Sequence, residues 1–175
     1  MSTKKGLLII NTGDGKGKTT AAFGLLLRAR AQGLRVCMIQ FIKSPKFPSG
    51  EMQIAKKLGI EWHTMGDGFT WRSKDLSESG SKAKEAWALA QEKIVSGNYD
   101  LIVLDEFTYA MNYDWLDPEI VCAWIAENKP PEQHLVITGR DAPQALIESA
   151  DLVTEMLKIK HPFDSGIKAQ KGIEF

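Results

Sequence analysis

Short apolar runs alternate along the chain with longer stretches of helical periodicity. The run at 101–104 is continuously apolar, as in a strand that is covered on both faces. Strands are predicted at residues 7–10, 36–42, 60–64, 101–104, 135–138 and 152–156, and helices at 18–32, 49–58, 82–95, 143–149 and from Pro118 onward. This alternation predicts parallel crossovers, and therefore a three-layer α/β fold with a mostly parallel central sheet.

A glycine-rich segment from Thr12 to Thr20, with the sequence TGDGKGKTT, separates the first predicted strand from the first helix. Its glycines let backbone amides turn inward, and the following helix adds its positive dipole end and its unpaired N–H groups. The segment fits the phosphate-loop consensus, except that Thr12 stands where the consensus has its first glycine. A glycine-rich hairpin before an ordinary helix is the alternative, but the order of strand, loop and helix favours phosphate binding and a P-loop NTPase-like fold.

Two side chains at the end of this loop have chemistry suited to a bound polyphosphate. The Lys18 ammonium would neutralise phosphate oxygens, and the Thr19 hydroxyl would ligate a Mg²⁺ ion that spans neighbouring phosphates. Lys16 either touches phosphate or is a solvated loop lysine.

Charged residues follow two of the predicted strands at the edge where open α/β sheets bind their ligands. Asp105 and Glu106 come directly after the strand at 101–104, and either is a candidate for the second magnesium ligand. The alternative is a strand-terminal acid that caps a loop. Arg140 follows the strand at 135–138, where it either reaches triphosphate or ribose or is a solvated arginine.

An aromatic loop follows the third predicted strand. It reads MGDGFTW and contains Phe69 and Trp71, while the polar stretch at 72–82 offers little apolar surface to bury the rings. The two side chains therefore either pack onto the core from above or form a flat apolar surface against a planar ligand. Tyr113 and Trp115 add aromatic surface at the same predicted end of the sheet.

Length and charge bound the function. With 175 residues, 43% of them hydrophobic, the chain has the size of one compact domain, which we expect to span 1–175. Lys plus Arg and Asp plus Glu number 22 each, so no overall positive field would draw the chain to nucleic acid or to an anionic membrane. We find neither a membrane-spanning segment nor a secretory signal, and expect a cytoplasmic protein.

Cysteines and histidines offer no metal motif in the sequence. Cys37 and Cys122 lie in apolar stretches, so we predict two buried thiols rather than a disulfide or a thiolate metal site. The spacing of His63, His134 and His161 matches no known ligand pattern, and we expect structural roles for the first two.

Segments spread over nearly the whole chain resemble the P-loop class of ATP:corrinoid adenosyltransferases. Besides the phosphate loop, they are QFIK at 40–43, GFTW at 68–71, VLDEFTY at 103–109, ITGR at 137–140 and KHPFDSGIKAQKG at 160–172. A phosphate loop alone is widely shared, whereas the GFTW and KHPFDSGIKAQ segments are specific to this family.

The resemblance implies transfer of the 5′-deoxyadenosyl group of ATP to the cobalt(I) of cob(I)alamin or of cobyrinic acid a,c-diamide, in adenosylcobalamin biosynthesis or salvage. It also implies Mg²⁺ as cofactor, a homodimer, and a flavoprotein that supplies the electron. Family members often carry an N-terminal helical extension over the corrinoid, whereas here the first strand is predicted almost at once. A start shortened in this way implies looser corrinoid binding, dependence on a partner subunit, or a truncated chain.

The resemblance also assigns roles to individual residues. Magnesium ligation maps to Thr19 and Glu106, with Asp105 left open as a further candidate. Phe69 and Trp71 would close over the lower face of the corrin and strip the axial ligand from cobalt(II), which makes the metal easier to reduce. Nucleotide contacts map to Gly13, Asp14, Gly15, Lys16, Gly17, Lys18, Thr19, Thr20, Arg28 and Arg140.

The main alternative is a P-loop kinase or ATPase that acts on another small molecule. Either would release ADP, whereas adenosyl transfer releases inorganic triphosphate. Cobalt(I) is a nucleophile with no proton to lose, so adenosyl transfer needs no general base. The absence of a histidine catalytic motif from the sequence is therefore compatible with the transferase.

Overall fold

A computed structural model of the protein describes residues 5–44, 49–66, 68 and 76–173. Its strands are β1 (Leu8–Thr12), β2 (Val36–Gln40), β3 (Glu61–Thr64), β4 (Leu101–Asp105), β5 (His134–Thr138) and β6 (Leu152–Glu155). They form one sheet in the order β3-β2-β4-β5-β1-β6, and every pair in it is parallel. The predicted parallel α/β architecture is therefore confirmed.

Helices connect the strands. They are α1 (Lys18–Ala31), α2 (Gly50–Lys57), α3 (Leu76–Val95), α4 (Thr108–Asn112), α5 (Pro118–Asn128) and α6 (Gln144–Ser149), and a 3₁₀ turn at Pro162–Ser165 follows β6. Asp117 caps α5, since its Oδ1 accepts the Glu119 N–H at 2.8 Å. Within the described part of the chain, no helix combines the length and the apolar character needed to cross a bilayer.

Strands β1, β2, β4 and β5 are buried on both faces, which explains their apolar runs, whereas the edge strand β6 is exposed. On one face, Phe23 and Leu26 of α1 share a core with Met38 of β2. On the other face, helices α3 to α6 supply a second core, in which Trp87 stacks on Phe107 with ring centroids 5.1 Å apart. The sheet thus lies as the middle of three layers.

Two elements differ from their predictions. Helix α3 begins six residues before the predicted Lys82, because Ser79 and Gly80 are buried rather than solvated. A Cβ on Gly80 would lie 3.1 Å from the Trp115 ring, so this polar turn packs under an aromatic side chain. Helix α4 lies within 106–112, which carried no helical prediction, and it turns the chain back directly after the acid pair.

The carboxyl ends of neighbouring strands carry a row of polar residues on the α1 side of the sheet. Strand register pairs Gln40 with both Thr64 and Asp105, and pairs Asn11 with Thr138. Leu104 pairs with Ile137, which puts Asp105 beside Thr138. We call Thr64, Gln40, Asp105, Thr138 and Asn11 the polar row. It runs across five strands next to the N-terminus of α1.

Candidate functional site

The phosphate loop bends between β1 and α1 through glycines with positive φ, 92° at Gly13 and 108° at Gly17. Only glycine adopts such angles without strain. The first amides of α1 have no partner within the helix and open onto the loop. Lys18 extends its ammonium back into the loop, where Nζ donates to the carbonyl oxygens of Gly13 at 2.5 Å and Gly15 at 2.7 Å. Burial, and then the charge of Arg140, lower the pKa of Lys18.

The outer side of the loop packs against the backbone that follows β6. Gly15 N–H donates to the Met156 carbonyl at 2.6 Å, and Met156 N–H donates to the Thr12 carbonyl at 2.9 Å. A Cβ on Gly13 would lie 2.6 Å from the Met156 oxygen, and a Cβ on Gly15 would lie 2.7 Å from the Leu157 oxygen. These glycines are therefore needed for packing as well as for the shape of the loop.

Asp105 is fully buried, and both of its carboxylate oxygens accept hydrogen bonds. Oδ1 accepts from the hydroxyls of Thr19 at 2.8 Å and Thr138 at 2.7 Å. Oδ2 accepts from Gln40 Nε2 at 2.9 Å and from Lys43 Nζ at 3.4 Å. Burial acts to lower the pKa of Lys43, but the charges of Asp105 and Glu106 outweigh it and raise the pKa. Asp105 therefore holds the start of α1 against the ends of three strands.

Glu106 differs from Asp105, because its backbone is hydrogen-bonded while one of its carboxylate oxygens is not. Its backbone is left-handed, with φ of 61°, and its N–H donates to Thr138 Oγ1 at 2.9 Å. Its carboxylate Oε2 is buried and lacks a hydrogen-bond partner among the described residues. Burial, followed by the charge of Asp105, raises the pKa of Glu106 to about 7. A buried carboxylate oxygen without a donor is costly unless a cation or a ligand meets it.

Oxygen donors of this kind fit a hard divalent cation. Mg²⁺ prefers carboxylate and hydroxyl oxygens and keeps several waters and phosphate oxygens in its shell. Glu106 offers an unused carboxylate oxygen, and Thr19 donates its proton to Asp105, which leaves lone pairs on the hydroxyl oxygen. From the sequence, either acid could be the magnesium ligand, but their surroundings in the structure differ. Both carboxylate oxygens of Asp105 accept hydrogen bonds from protein groups, whereas Oε2 of Glu106 accepts none from the described residues.

The remaining predicted nucleotide residues lie at different distances from the loop. Arg140 reaches it, with Nη1 3.9 Å from Asp14 Oδ1, and its carbonyl accepts the Thr108 hydroxyl at 2.6 Å. Thr20 follows Thr19 on the exposed side of the first turn of α1. Arg28 is exposed and ten residues beyond Lys18, which is about 15 Å along the helix, so the structure does not bring it to the phosphate loop.

Phe69 and Trp71 lie outside the described residues. The chain on their near side is fixed, because Gly68 N–H donates to the Ile42 carbonyl at 3.0 Å. The other predicted aromatic residues do lie together: Tyr113 stacks on Trp115 with centroids 5.0 Å apart, and Tyr109 lies 6.3 Å from Tyr113. These aromatic residues lie on α4 and directly after it, in the segment that follows the acid pair at the carboxyl end of β4.

A second set of possible metal ligands was not found by sequence reasoning. Side-chain atoms of Cys37, Glu61 and His63 lie within 4.8 Å of one another, because β2 and β3 pair in register. Lys93 Nζ lies 2.9 Å from Glu61 Oε1, and the Tyr99 hydroxyl donates to the other oxygen. Burial raises the pKa of Cys37 to about 12, so the thiol stays protonated. This cluster is an ion-paired contact between the sheet and α3.

Comparisons with known proteins identify relatives of nearly the whole chain. A family model described as ATP:corrinoid adenosyltransferase BtuR/CobO/CobP matches residues 4–175. A corrinoid adenosyltransferase of a Sinorhizobium species is 46% identical over 100% of this chain and 84% of its own length, and that of Escherichia coli K12 is 40% identical over 98% and 87%.

Among solved structures, the flagellar accessory protein FlaH of Methanocaldococcus jannaschii superposes with a TM-score of 0.55 at 14% identity, over 87% of this chain and 71% of that one. This likeness shows the fold alone. The family model and the curated relatives both span nearly all of the sequence. The chain therefore belongs to the ATP:corrinoid adenosyltransferase BtuR/CobO/CobP family.

Proposed function

We propose that this protein transfers the 5′-deoxyadenosyl group of ATP to the cobalt(I) of a corrinoid and releases inorganic triphosphate. The observation that carries the proposal is the joining of two parts: the phosphate loop is tied by Thr19 to Asp105, beside the unpartnered Glu106 oxygen. Membership of the family supports this reaction. We further propose that residues 1–175 act as a single catalytic domain.

The phosphate loop would bind the triphosphate of ATP. In this structure the ammonium of Lys18 donates hydrogen bonds to two loop carbonyls. A bound polyphosphate would offer it stronger, charge-assisted acceptors. The loop amides and the amides at the start of α1 surround the same space, with Arg140 at its rim. In this proposal Gly13 to Thr20 and Arg140 contact the nucleotide, and Arg28 reaches it only if the nucleoside extends along α1.

Glu106 and Thr19 are the residues we propose to hold Mg²⁺, with Asp105 as the residue that orients Thr19. When bound, the ion would neutralise charge on the triphosphate leaving group. The fit rests on the unpartnered Glu106 oxygen and on the direction of the Thr19 hydroxyl proton.

In the reaction a cobalt–carbon bond forms at the ribose C5′ as the bond from C5′ to the triphosphate oxygen breaks. The electron pair of cobalt(I) makes the new bond, and the pair of the broken bond leaves with the triphosphate. Lys18 and the loop amides stabilise that charge as it develops. Holding both reactants in line supplies roughly 7–11 kcal/mol over a free encounter.

Phe69 and Trp71 are our candidates for the corrin-facing residues that remove the axial ligand of cobalt(II). This role can be tested apart from adenosyl transfer. Changing either residue to alanine should abolish activity with cobalt(II) and a mild reductant, while much activity remains when chemically prepared cobalt(I) is supplied. Equal loss in both assays would contradict the role.

The finer biological setting is also a proposal. We propose that the enzyme is a cytoplasmic homodimer that receives its electron from a flavoprotein and acts on cob(I)alamin or on cobyrinic acid a,c-diamide. Comparing turnover on these two corrinoids under identical reducing conditions would identify the preferred substrate. Sedimentation analysis would test the dimer, and a single species of about 19 kDa would contradict it.

A further inference from the structure

We propose that Trp62 and Gln40 are positioning residues, which orient Asp105 and through it the Thr19 hydroxyl. We call the chain of bonds Trp62–Gln40–Asp105–Thr19 the relay. It runs from the edge strand β3 through β2 and β4 to the first turn of α1. The inference rests on the proposed function, because the end of the relay is the hydroxyl that we assign to Mg²⁺.

The first bond of the relay fixes which way the Gln40 amide faces. An indole nitrogen is a donor only, and Trp62 Nε1 donates to Gln40 Oε1 at 3.1 Å. The Thr64 hydroxyl lies 3.4 Å from the same oxygen and donates there too. With Oε1 engaged on this side, the Nε2 donors of the amide face the other way, toward Asp105. Gln40 is only 2% exposed, so water does not compete for these bonds.

The second bond fixes the rotation of the Asp105 carboxylate. Gln40 Nε2 donates to Oδ2 at 2.9 Å, while Oδ1 accepts from Thr19 at 2.8 Å. An ionised carboxylate has no proton to give, so Thr19 must direct its hydroxyl proton inward. Its lone pairs then point away from Asp105, toward the space outside the first turn of α1.

Lys43 and Gln40 share one oxygen of Asp105, so the loss of Gln40 would change the orientation of this carboxylate. Its ammonium lies 3.4 Å from the same Asp105 oxygen that Gln40 binds. If the Gln40 donor is lost, this cation becomes the only remaining partner of Oδ2 among the described residues. We expect the carboxylate to turn toward Lys43, which lengthens the bond from Thr19 and frees the hydroxyl proton to point outward.

Substitution of Trp62 separates the relay from simple packing. The Trp62 ring also packs edge-on against Phe23 of α1, with centroids 5.8 Å apart. Trp62→Phe keeps an aromatic ring in that contact and removes the N–H. Gln40→Met keeps the length of the side chain and removes both the donor and the acceptor. Trp124→Phe is the matched control, because Trp124 packs against Trp87 on the opposite face of the sheet.

The experiment measures ATP binding by calorimetry on the full chain, once with Mg²⁺ and once with EDTA, and metal binding by Mn²⁺ paramagnetic resonance in the presence of ATP. We expect Trp62→Phe to weaken the Mg²⁺-dependent binding about fivefold, and Gln40→Met about tenfold or more, since hydrogen bonds to charged groups are the stronger ones. Binding in EDTA should change less than twofold, and Trp124→Phe should resemble the wild type in both conditions.

The three results that would contradict the proposal can be told apart. Equal weakening with Mg²⁺ and with EDTA would mean that the relay is merely structural, and unchanged binding in both variants would overturn it outright. Should Gln40→Met not fold, as thermal unfolding would reveal, Trp62→Phe alone decides between these outcomes. If instead the wild type binds ATP equally well with Mg²⁺ and with EDTA, the proposed metal site itself is wrong.

Discussion

The Thr138 hydroxyl is hydrogen-bonded to both acids of the site, Asp105 and Glu106. Its replacement by valine should therefore lower the free energy of unfolding substantially. Threonine and valine side chains have nearly the same shape, and Thr138 is 1% exposed. Valine cannot donate to Asp105 Oδ1, which Thr138 approaches at 2.7 Å, and cannot accept the Glu106 N–H, which lies 2.9 Å away. One substitution therefore removes two buried hydrogen bonds without creating a cavity.

The size of the effect follows from these two bonds. A hydrogen bond to a charged group contributes about 1.5–3 kcal/mol, and a buried N–H left without an acceptor costs about 1–3 kcal/mol. We expect Thr138→Val to lower the free energy of unfolding by about 3–5 kcal/mol, which for a chain of this length lowers Tm by roughly 10 °C. Urea denaturation followed by circular dichroism measures the free energy directly.

Thr154→Val supplies the matched control. Thr154 lies on β6 and pairs in register with Asn11, but its side chain is exposed. The same chemical change should therefore alter stability by less than about 0.5 kcal/mol. If Thr138→Val costs less than about 1 kcal/mol, or if the two variants behave alike, the acids are not held as we describe.

Three further predictions concern other parts of the structure. Gly15→Ala should abolish ATP binding in a calorimetric titration, because the new Cβ would collide with the Leu157 carbonyl. Gly24→Ala, on the open side of α1, should raise the free energy of unfolding measured in urea by about 0.5–1 kcal/mol. In the folded protein the pKa of Glu106 is about 7, above its usual value, so its contribution favours folding below about pH 4.5 and is lost as the pH rises through 7. Glu106→Gln should flatten the dependence of the unfolding free energy on pH in this range, and an unchanged dependence would refute the assignment. Asp117→Ala should cost about 1 kcal/mol through loss of the α5 cap, and Asp117→Ser much less.

The phosphate loop and the acid pair could be predicted because each is a local pattern. Glycine spacing and a helix start identify the loop, and a buried strand that ends in Asp105 and Glu106 identifies the sheet edge. The alternation of apolar runs and helical stretches predicted a parallel sheet, but it did not predict the order of the strands.

Other features depend on register and contact between distant segments, which a single sequence does not reveal. Gln40 lies 65 residues before Asp105, and only the pairing of β2 with β4 puts the two side chains in one row. The approach of Met156 to Gly15 likewise depends on where β6 joins the sheet. Helix α3 was predicted too short because its first turns are polar, and the packing of Gly80 against Trp115 is a tertiary contact.

The central claim is that this site breaks the bond between C5′ and the triphosphate of ATP, rather than a bond between phosphates. The direct test is to mix the protein with Mg²⁺, ATP and a chemically reduced cobalt(I) corrinoid without oxygen, and to identify the phosphate product while the corrin spectrum is followed. We predict one inorganic triphosphate for each light-sensitive adenosylcorrinoid formed. Release of ADP, with an unchanged corrin spectrum, would contradict it and would indicate a kinase or an ATPase.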